Sequence, residues 1–357
     1  MILVVCLNPA LDITHQVASV DWSGVNRAHL VLDRPGGKGT NVARILHSFG
    51  ISVSLTGLAG GATGAAVSAG LDRLGVPTAF TPIAGETRRT FSVVDDSMVG
   101  GRGQVALFNE PGPEVSRAEF ARFRRDYDNA LAGASVVVLS GSLPPGLPAD
   151  SYAGLIAAAA KSGVPAVLDT SGDALRSGLS AGPAIVKPNL DELGSLTGAG
   201  SAPPGSAPLR AALRSAAGEI DLAAVTMAAA ELRADGADAV VASLGPDGLL
   251  AVTGGGCWRA RVTVVADGNA TGAGDAVTAA LAHGLLVGRP WPQRLRHAAA
   301  LGSAAVMSAA AGEVSAVDYQ ARLRTATVSS VPPTSPGPLT PPATRVSSAP
   351  PDERGTR

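Results

Sequence analysis

The chain has 357 residues, of which 46% are hydrophobic and only 3% are aromatic, enough to bury one large core. Its formal net charge is −1 and its basic residues form no runs, which argues against a surface for nucleic acid or for an anionic membrane. The two cysteines, Cys6 and Cys257, have neither a disulfide-framework spacing nor a zinc-site spacing. We therefore expect a cytoplasmic protein whose partners are small molecules.

Short β-branched runs alternate along the chain with alanine- and leucine-rich segments of helical period. This pattern is typical of a parallel sheet covered by helices on both faces, so we predict an α/β fold. The predicted strands lie at 2–7, 52–57, 135–139, 164–168, 183–186, 239–243 and 249–253. The predicted helices lie at 39–49, 64–74, 116–131, 149–161, 208–216, 221–234, 273–287 and 292–311.

Three regions depart from this alternation. The segments 12–34 and 88–109 show strand-like patterns with no helix between the strands, which predicts a small antiparallel sheet that forms a lid. The stretch 329–357 is rich in proline, serine and threonine and has almost no large apolar residues, so we expect a disordered tail. The ordered domain is therefore expected to span 1–328, with a surface loop at 200–208.

The first glycine-rich helix start is GGKGTN at 36–41. Its glycines would let a ligand lie against the backbone at Gly37, and Asn41 could donate to and accept from neighbouring sugar hydroxyls. A flexible turn into a helix is the alternative interpretation. The lysine favours function, because only three of the 28 basic residues are lysines, namely Lys38, Lys161 and Lys187.

A second candidate segment is KPNLDEL at 187–193, followed later by the turn SLGPDG at 243–248. Asn189 and Glu192 lie three residues apart on one helical turn, where they could serve a ligand. The same spacing fits a capping box, and locally the two interpretations are equally good. The 243–248 segment alone predicts only a tight turn between two strands.

The third segment, GNATGAGDA at 268–276, ends a β-rich stretch and opens an apolar helix. Glycines there let the backbone approach a phosphate, and free amides with the helix dipole would hold its negative charge. Asp275 could take a proton from an attacking hydroxyl, as phosphoryl transfer requires. In a glycine-rich chain the G-x-G-D tetrapeptide is a weak signal by itself, so the companion motifs decide.

Taken in order, seven motifs make the chain resemble the ribokinase-like (PfkB-type) sugar kinases, in the branch of 1-phosphofructokinase and tagatose-6-phosphate kinase. The motifs are NPALD at 8–12, GGKGTNVA at 36–43, TRRT at 87–90, SGSLPPG at 140–146, KPNLDEL at 187–193, SLGPDG at 243–248 and TGAGDA at 271–276. The resemblance covers about residues 1 to 325. It implies a three-layer α/β/α sandwich with a β-sheet lid, ATP with Mg²⁺ as phosphoryl donor, and a homodimer formed through the lid.

The resemblance also implies roles for individual residues. Asp275 would be the catalytic base, and the anion hole would be formed by the amides of Gly272, Ala273 and Gly274. Sugar hydroxyls would bind Asp12, Gly37 and Asn41. The acceptor's phosphate would bind Arg27 and Arg88, with Lys38 as a further candidate. The nucleotide would bind Lys187, Asn189, Ser243, Gly245 and Gly248, and Glu192 would organise Mg²⁺ through water.

The expected reaction is phosphorylation of fructose 1-phosphate to fructose 1,6-bisphosphate. Tagatose-6-phosphate kinase, fructose-6-phosphate kinase and a catalytically weak regulator on the same fold are alternatives; Ala270, an unusual residue before the anion hole, is the hint for the last. The segment 104–109 lacks the second lid arginine of some fructose-6-phosphate kinases of this family, which favours a different phosphate position. A nicotinamide-dependent dehydrogenase is disfavoured, because no G-x-G-x-x-G follows the first strand.

Overall fold

The structure, a computed structural model, describes residues 1–97, 104–197, 213–214, 218–262, 271–308 and 310–332. The strands in these ranges are β1 Ile2–Cys6, β2 Ala10–Val17, β3 Leu30–Gly36, β4 Val53–Ala59, β5 Thr78–Pro82, β6 Arg88–Asp95, β7 Gln104–Asn109, β8 Val136–Ser140, β9 Ala166–Asp169, β10 Ile185–Val186, β11 Ala239–Ser243, β12 Leu249–Thr253, β13 Gly256–Arg261 and β14 Thr327–Val331. The helices are α1 Lys38–Ser48, α2 Gly61–Arg73, α3 Arg117–Leu131, α4 Ser151–Lys161, α5 Gly172–Leu179, α6 Leu190–Leu196, α7 Leu222–Ala234, α8 Ala273–Leu286, α9 Trp291–Ala305 and α10 Ala316–Thr325.

The large sheet has ten strands in the order β14-β13-β12-β11-β10-β9-β8-β1-β4-β5. The strands from β11 to β5 are parallel to one another, and β12, β13 and β14 are added antiparallel at the other edge. Strand β1 shows why both faces are covered, since Leu3 and Val5 enter one apolar cluster and Ile2 and Val4 enter the other. Helices α3 to α7 pack on the first face, and α1, α2, α8, α9 and α10 on the second. The predicted three-layer fold is confirmed.

The lid is a separate sheet of four strands in the order β3-β2-β6-β7. Its existence was predicted from the alternating patterns, but the prediction that it is purely antiparallel is wrong, because β2 and β6 pair in parallel. The parallel pairing is possible because the long segment between β3 and β6 runs through α1, β4, α2 and β5 of the main domain. Asp12 on β2 therefore lies opposite Thr90 on the neighbouring strand β6 and opposite Arg34 on the other neighbouring strand, β3.

Other departures from the predicted elements occur late in the chain. The predicted helix 292–311 ends at Ala305 despite a helix-favouring sequence, because residues 311 and 313 make contacts of their own with Arg44. Sequence patterns missed α5, α10, β5, β13 and β14. Strand β14 extends to Val331, so the boundary expected at 328 falls within a strand.

Several expectations fall where the structure gives no description. These are the surface loop at 200–208, the residue Ala270 and the tail from 333 onward. The predicted helix 208–216 is described only at Leu213, in a turn, and Arg214, in an isolated bridge to Ile220. Across the described ranges, no helix is both long and apolar enough to cross a bilayer.

Candidate active site

A cavity of about 1240 Å³ lies between the lid and the carboxyl ends of the parallel strands. This is the edge of an open α/β sheet where ligands bind, because loops there diverge to either face. The cavity exceeds the usual ~300–1000 Å³ of a pocket for one small molecule, so it has room for two substrates. Its walls include residues of the lid strands, of the segments after β9, β10 and β11, and of the start of α8.

The start of α8 forms one wall of this cavity. Gly272 caps the helix with a left-handed φ of +85°, and a Cβ there would lie 2.9 Å from Cα of Ala311, so only glycine fits. The first amides of a helix have no acceptor within the helix and carry the positive end of its dipole. The amides at Ala273 and Gly274 therefore make this end of α8, called the anion-binding end, suited to hold a negative charge beside Asp275.

Asp275 lies in the first turn of α8 and is only 5% exposed. Its Oδ2 accepts a hydrogen bond of 2.8 Å from Nδ2 of Asn41. Burial, assisted by the charge of Asp169, raises the pKa of Asp275 to about 7, although Asn41, Lys38 and Lys187 oppose the shift. A carboxylate with a pKa near neutrality is suited to accept a proton during catalysis.

A second buried carboxylate, Asp169 at the end of β9, was missed by the sequence analysis. Its Oδ1 lies 3.3 Å from Nζ of Lys187 and 3.5 Å from Nζ of Lys38, and its Oδ2 accepts a 2.9 Å hydrogen bond from Thr278. Burial raises its pKa, but the charges of the two lysines outweigh burial and hold it below the usual value. Its position at the carboxyl end of a parallel strand was the available signal.

Lys38 lines the cavity beside two carboxylates. Its ammonium lies 3.5 Å from Asp169 and 3.9 Å from Oε1 of Glu192, and these charges, Asp169 first, raise its pKa. The resemblance suggested Lys38 as a further ligand of the acceptor's phosphate; its ion pairs are instead with these two carboxylates. Lys187 is buried, and a Cβ on Gly274 would lie 3.5 Å from its Nζ, so the second lysine lies beside the anion-binding amides.

Asn189 and Glu192 form the capping box that the spacing allowed. Glu192 accepts from the Asn189 amide at 2.9 Å, and the Asn189 side chain accepts from the Glu192 amide at 2.8 Å. Across the described ranges, no group of three histidine, cysteine or acidic side chains is arranged to hold a metal. Asp169 and Glu192 both pair with the Lys38 ammonium, and Mg²⁺ usually binds one or two carboxylates together with water and substrate phosphates.

Asp12 lines the cavity from the lid. Thr90 donates a 2.5 Å hydrogen bond to its Oδ1, and burial raises the pKa of Asp12 against the opposing charges of Arg88 and Arg44. Gly37 caps α1 with a φ of +92°, a conformation that favours glycine. Asp12, Gly37 and Asn41, the residues for which the resemblance implies contacts with sugar hydroxyls, all line this cavity.

Of the two predicted phosphate-binding arginines, the structure brings only Arg88 to the cavity. Arg88 donates to the carbonyls of Asn8 and Glu110, each over 3.2 Å, which holds its guanidinium at the root of the lid. Arg27 is exposed in the loop between β2 and β3 and does not line the cavity. Asn8, the first residue of the NPALD motif, also lines the cavity but was not predicted as a site residue. Its Nδ2 donates a 3.2 Å hydrogen bond to Oγ of Ser142.

The predicted nucleotide turn lies beside the segment after β10. The amide of Ser243 donates to the carbonyl of Pro188 over 2.9 Å, which joins the end of β11 to the KPN segment. A short 3₁₀ turn, Gly245–Asp247, follows, and Gly248 leaves it with a φ of +93°. Ser243, Gly245 and Gly248 line the cavity, together with Lys187 and Asn189.

Comparison with known proteins shows the family. Residues 3–317 match the family described as pfkB family carbohydrate kinase. Among solved structures, phosphofructokinase-2 of Escherichia coli in complex with potassium is 30% identical, with a TM-score of 0.78 over 90% of this chain and 98% of that one. The same protein has been solved with fructose-6-phosphate, at 29% identity and a TM-score of 0.76, and in a tetrameric inhibited form.

Two more distant structures agree in fold. A possible 1-phosphofructokinase of Thermotoga maritima is 24% identical, with a TM-score of 0.78 over 93% of this chain and all of that one. The ribokinase of Arabidopsis thaliana, solved with ribose and ATP, is 22% identical, with a TM-score of 0.69 over 90% of this chain and 98% of that one. At these sequence identities the structural similarity shows the fold alone.

Proposed function

The chain belongs to the pfkB family of carbohydrate kinases, and we propose that it transfers the γ-phosphoryl group of ATP to fructose 1-phosphate, giving fructose 1,6-bisphosphate. The observation that carries this proposal is the position of Asp275. Its buried carboxylate, with a pKa raised to about 7, lies in the first turn of α8, beside free amides and inside a cavity also lined by Asp12 and Arg88.

In the proposed reaction, the Asp275 carboxylate accepts the proton of the sugar's 6-hydroxyl. That oxygen bonds to the γ-phosphorus of ATP while the bond from this phosphorus to the β–γ bridging oxygen breaks, and ADP leaves. The amides of Gly272, Ala273 and Gly274 hold the oxygens of the transferring group. Fixed donors at such a position lower the barrier because they need no reorganisation as the charge develops.

The donor side of the proposal uses Lys38 and Lys187, Asp169, which pairs with both lysines, and Glu192, which pairs with Lys38. Lys187 lies beside the anion-binding amides and would contact the nucleotide's phosphates, with Asn189, Ser243, Gly245 and Gly248 along the nucleotide. Mg²⁺, when bound with the nucleotide, would neutralise the phosphate charge and orient the terminal group. Glu192 would hold its water shell, and Asp169 supplies a second carboxylate nearby.

The acceptor assignment depends on the lid. Two lid arginines line the cavity, Arg88 on β6 and Arg34 on β3, and strand β7, Gln104–Asn109, carries no arginine. The absence of an arginine from β7 favours a phosphate position different from that of fructose 6-phosphate, the sugar bound to the Escherichia coli relative. This difference is the reason to place fructose 1-phosphate ahead of fructose 6-phosphate and tagatose 6-phosphate.

A homodimer through the lid is part of the proposal. Seven of the twelve exposed large hydrophobic residues in the described ranges lie on the lid or in its loop: Trp22, Val25, Leu30, Val31, Val105, Leu107 and Phe108. Clustered apolar surface and open strand edges such as β3 and β7 favour pairing with a second copy.

The two free cysteines are consistent with the expected reducing cytoplasm.

The test is a coupled ADP-release assay with Mg²⁺-ATP over fructose 1-phosphate, fructose 6-phosphate, tagatose 6-phosphate and free fructose. We expect the highest kcat/KM with fructose 1-phosphate and the lowest with free fructose. A higher value with either 6-phosphate would transfer the assignment to that sugar. If no sugar releases ADP although calorimetry detects sugar-phosphate binding, the chain is the regulator of the alternative hypothesis.

A further inference from the structure

Arg44 is a buried cation that neither the motifs nor the proposed chemistry explains. It lies on α1, one turn after Asn41, and is only 6% exposed. Its Nη1 donates to the carbonyls of Pro35 and Ala311, each over 3.1 Å, and its Nη2 lies 3.2 Å from Oε1 of Glu313. Burying a guanidinium is costly unless its donors are satisfied, and these three contacts satisfy Nη1 and Nη2, while the buried Nε has no partner among the described residues.

The two carbonyls belong to different parts of the molecule. Pro35 lies in β3, at the root of the lid, whereas Ala311 lies in the 310–313 segment, which follows α9. Glu313 adds a second connection, because its Oε1 also lies 3.3 Å from Nη1 of Arg34 on β3. Arg34 in turn lies opposite Asp12, the sugar-side carboxylate, in the lid sheet.

The 310–313 segment packs against the anion-binding end of α8. A Cβ on Gly272 would lie 2.9 Å from both Cα and Cβ of Ala311. Gly312 has a φ of +77°, and a Cβ there would lie 2.7 Å from Nη1 of Arg44 and from Oδ1 of Asn41. This packing leaves no space for a side chain at either glycine. A displacement of the segment would therefore change the packing around Gly272, which caps α8.

We propose that Arg44 is a positioning residue that fixes the 310–313 segment against the cap of α8 and ties that segment to the lid. Without the guanidinium, the carbonyls of Pro35 and Ala311 lose their donor and the segment is free to move from Gly272. The amides of Gly272, Ala273 and Gly274 would then lose the fixed orientation on which their stabilisation of charge depends. The consequence for catalysis rests on the proposed function, whereas the consequence for the helix cap does not.

The test compares Arg44→Met and Arg44→Lys with Arg294→Met. Arg294 is a suitable control because it is also buried and also donates to a backbone carbonyl, that of Arg289, but it does not line the cavity. Hydrogen exchange followed by mass spectrometry on peptides covering 271–278 reports on the cap without any ligand. The ADP-release assay, run well below each variant's melting temperature, reports kcat and the KM for ATP.

We expect amide exchange in 271–278 to be at least about tenfold faster in Arg44→Met than in the parent protein, and unchanged in Arg294→Met. Arg44→Lys should show intermediate exchange, because an ammonium keeps the charge but cannot reach all three acceptors. The kcat of Arg44→Met should fall about tenfold or more, with a KM for ATP within about threefold.

Should Arg44→Met fail to fold, Arg44→Lys tests the same contact, because it shortens the reach of the side chain and keeps its charge. Unchanged exchange in 271–278 in the folded Arg44 variants would overturn the inference. Faster exchange in 271–278 with no ADP release by the parent protein would instead leave the positioning role intact and remove the proposed reaction.

Discussion

Asn41 donates a 2.8 Å hydrogen bond to the carboxylate of Asp275 across 234 positions of the chain. The bond joins the helix that opens at the GGKGTN motif to the helix that opens at the TGAGDA motif. The amide thus contacts the proposed base directly and stabilises its charged form. The same side chain lines the cavity, so in the proposed function one residue contacts both the sugar and the base.

Asp275→Asn should lower kcat by at least about a hundredfold while the affinity for ATP stays nearly constant. The reason is that a general base acts mainly in the transition state and contributes little to nucleotide binding. Steady-state ADP release and calorimetric titration with ATP measure the two quantities separately. Turnover equal to that of the parent protein would remove Asp275 from its proposed role.

Asn41→Leu should shift the acidic limb of the pH–kcat profile upward. In the parent protein, activity should rise as pH increases through about 7, because Asp275 must lose its proton to act as a base. The Asn41 bond lowers this pKa, so its loss should raise the pKa further and make the variant recover activity only at higher pH. A limb that stays in place or moves to lower pH would contradict the coupling between the two residues.

The sequence predicted the α/β architecture and the glycine-rich starts of α1 and α8. It did not predict the contacts between the motifs. Period-2 and period-3.6 patterns predicted the parallel core, since every strand such as β1 must be apolar on both faces. Asp169 was missed because no local pattern distinguishes a carboxylate that will meet two lysines from one that faces water. The parallel β2–β6 pairing was missed for a related reason, because the pairing of strands 70 residues apart is decided by the packing of the main domain beneath them.

Arg88→Ala should raise the KM for a phosphorylated sugar by about tenfold or more and change the KM for free fructose little. A charge-assisted guanidinium–phosphate contact is stronger than a neutral hydrogen bond, so its loss affects only acceptors that carry the phosphate. Arg89→Ala is the matched control, because the neighbouring side chain is exposed and pairs with Glu110. An equal loss with free fructose would show that Arg88 supports the lid instead of binding phosphate.

Val31→Asp should convert the proposed dimer to a monomer. Val31 lies exposed on β3, an edge strand of the lid, where a buried charge in a lid-to-lid contact would be costly. Sedimentation velocity over a range of concentrations measures the mass of each species. Val317→Asp, on α10 and also exposed, should leave the mass unchanged, and a monomeric parent protein would refute the dimer outright.

Lys38→Met should tighten the binding of Mn²⁺, used as a paramagnetic substitute for Mg²⁺, to the nucleotide-free protein. The Lys38 ammonium is paired with Asp169 and Glu192, the two carboxylates proposed to lie near the divalent cation, so lysine and metal would compete for the same charge. At about 4 Å an effective dielectric constant near 20 gives about 4 kcal/mol for one such pair. Because the Lys38 side chain is 42% exposed, solvent screening reduces the expected gain to about fivefold in affinity.

Electron paramagnetic resonance of free Mn²⁺ measures this affinity without turnover. Lys161→Met is the control, because Lys161 is an exposed lysine at the end of α4. Tighter binding in Lys38→Met alone would support a metal position between the two carboxylates. Equal or weaker binding in that variant, with its fold intact by circular dichroism, would mean that the metal lies elsewhere in the cavity, because the competing cation would then have been removed without effect.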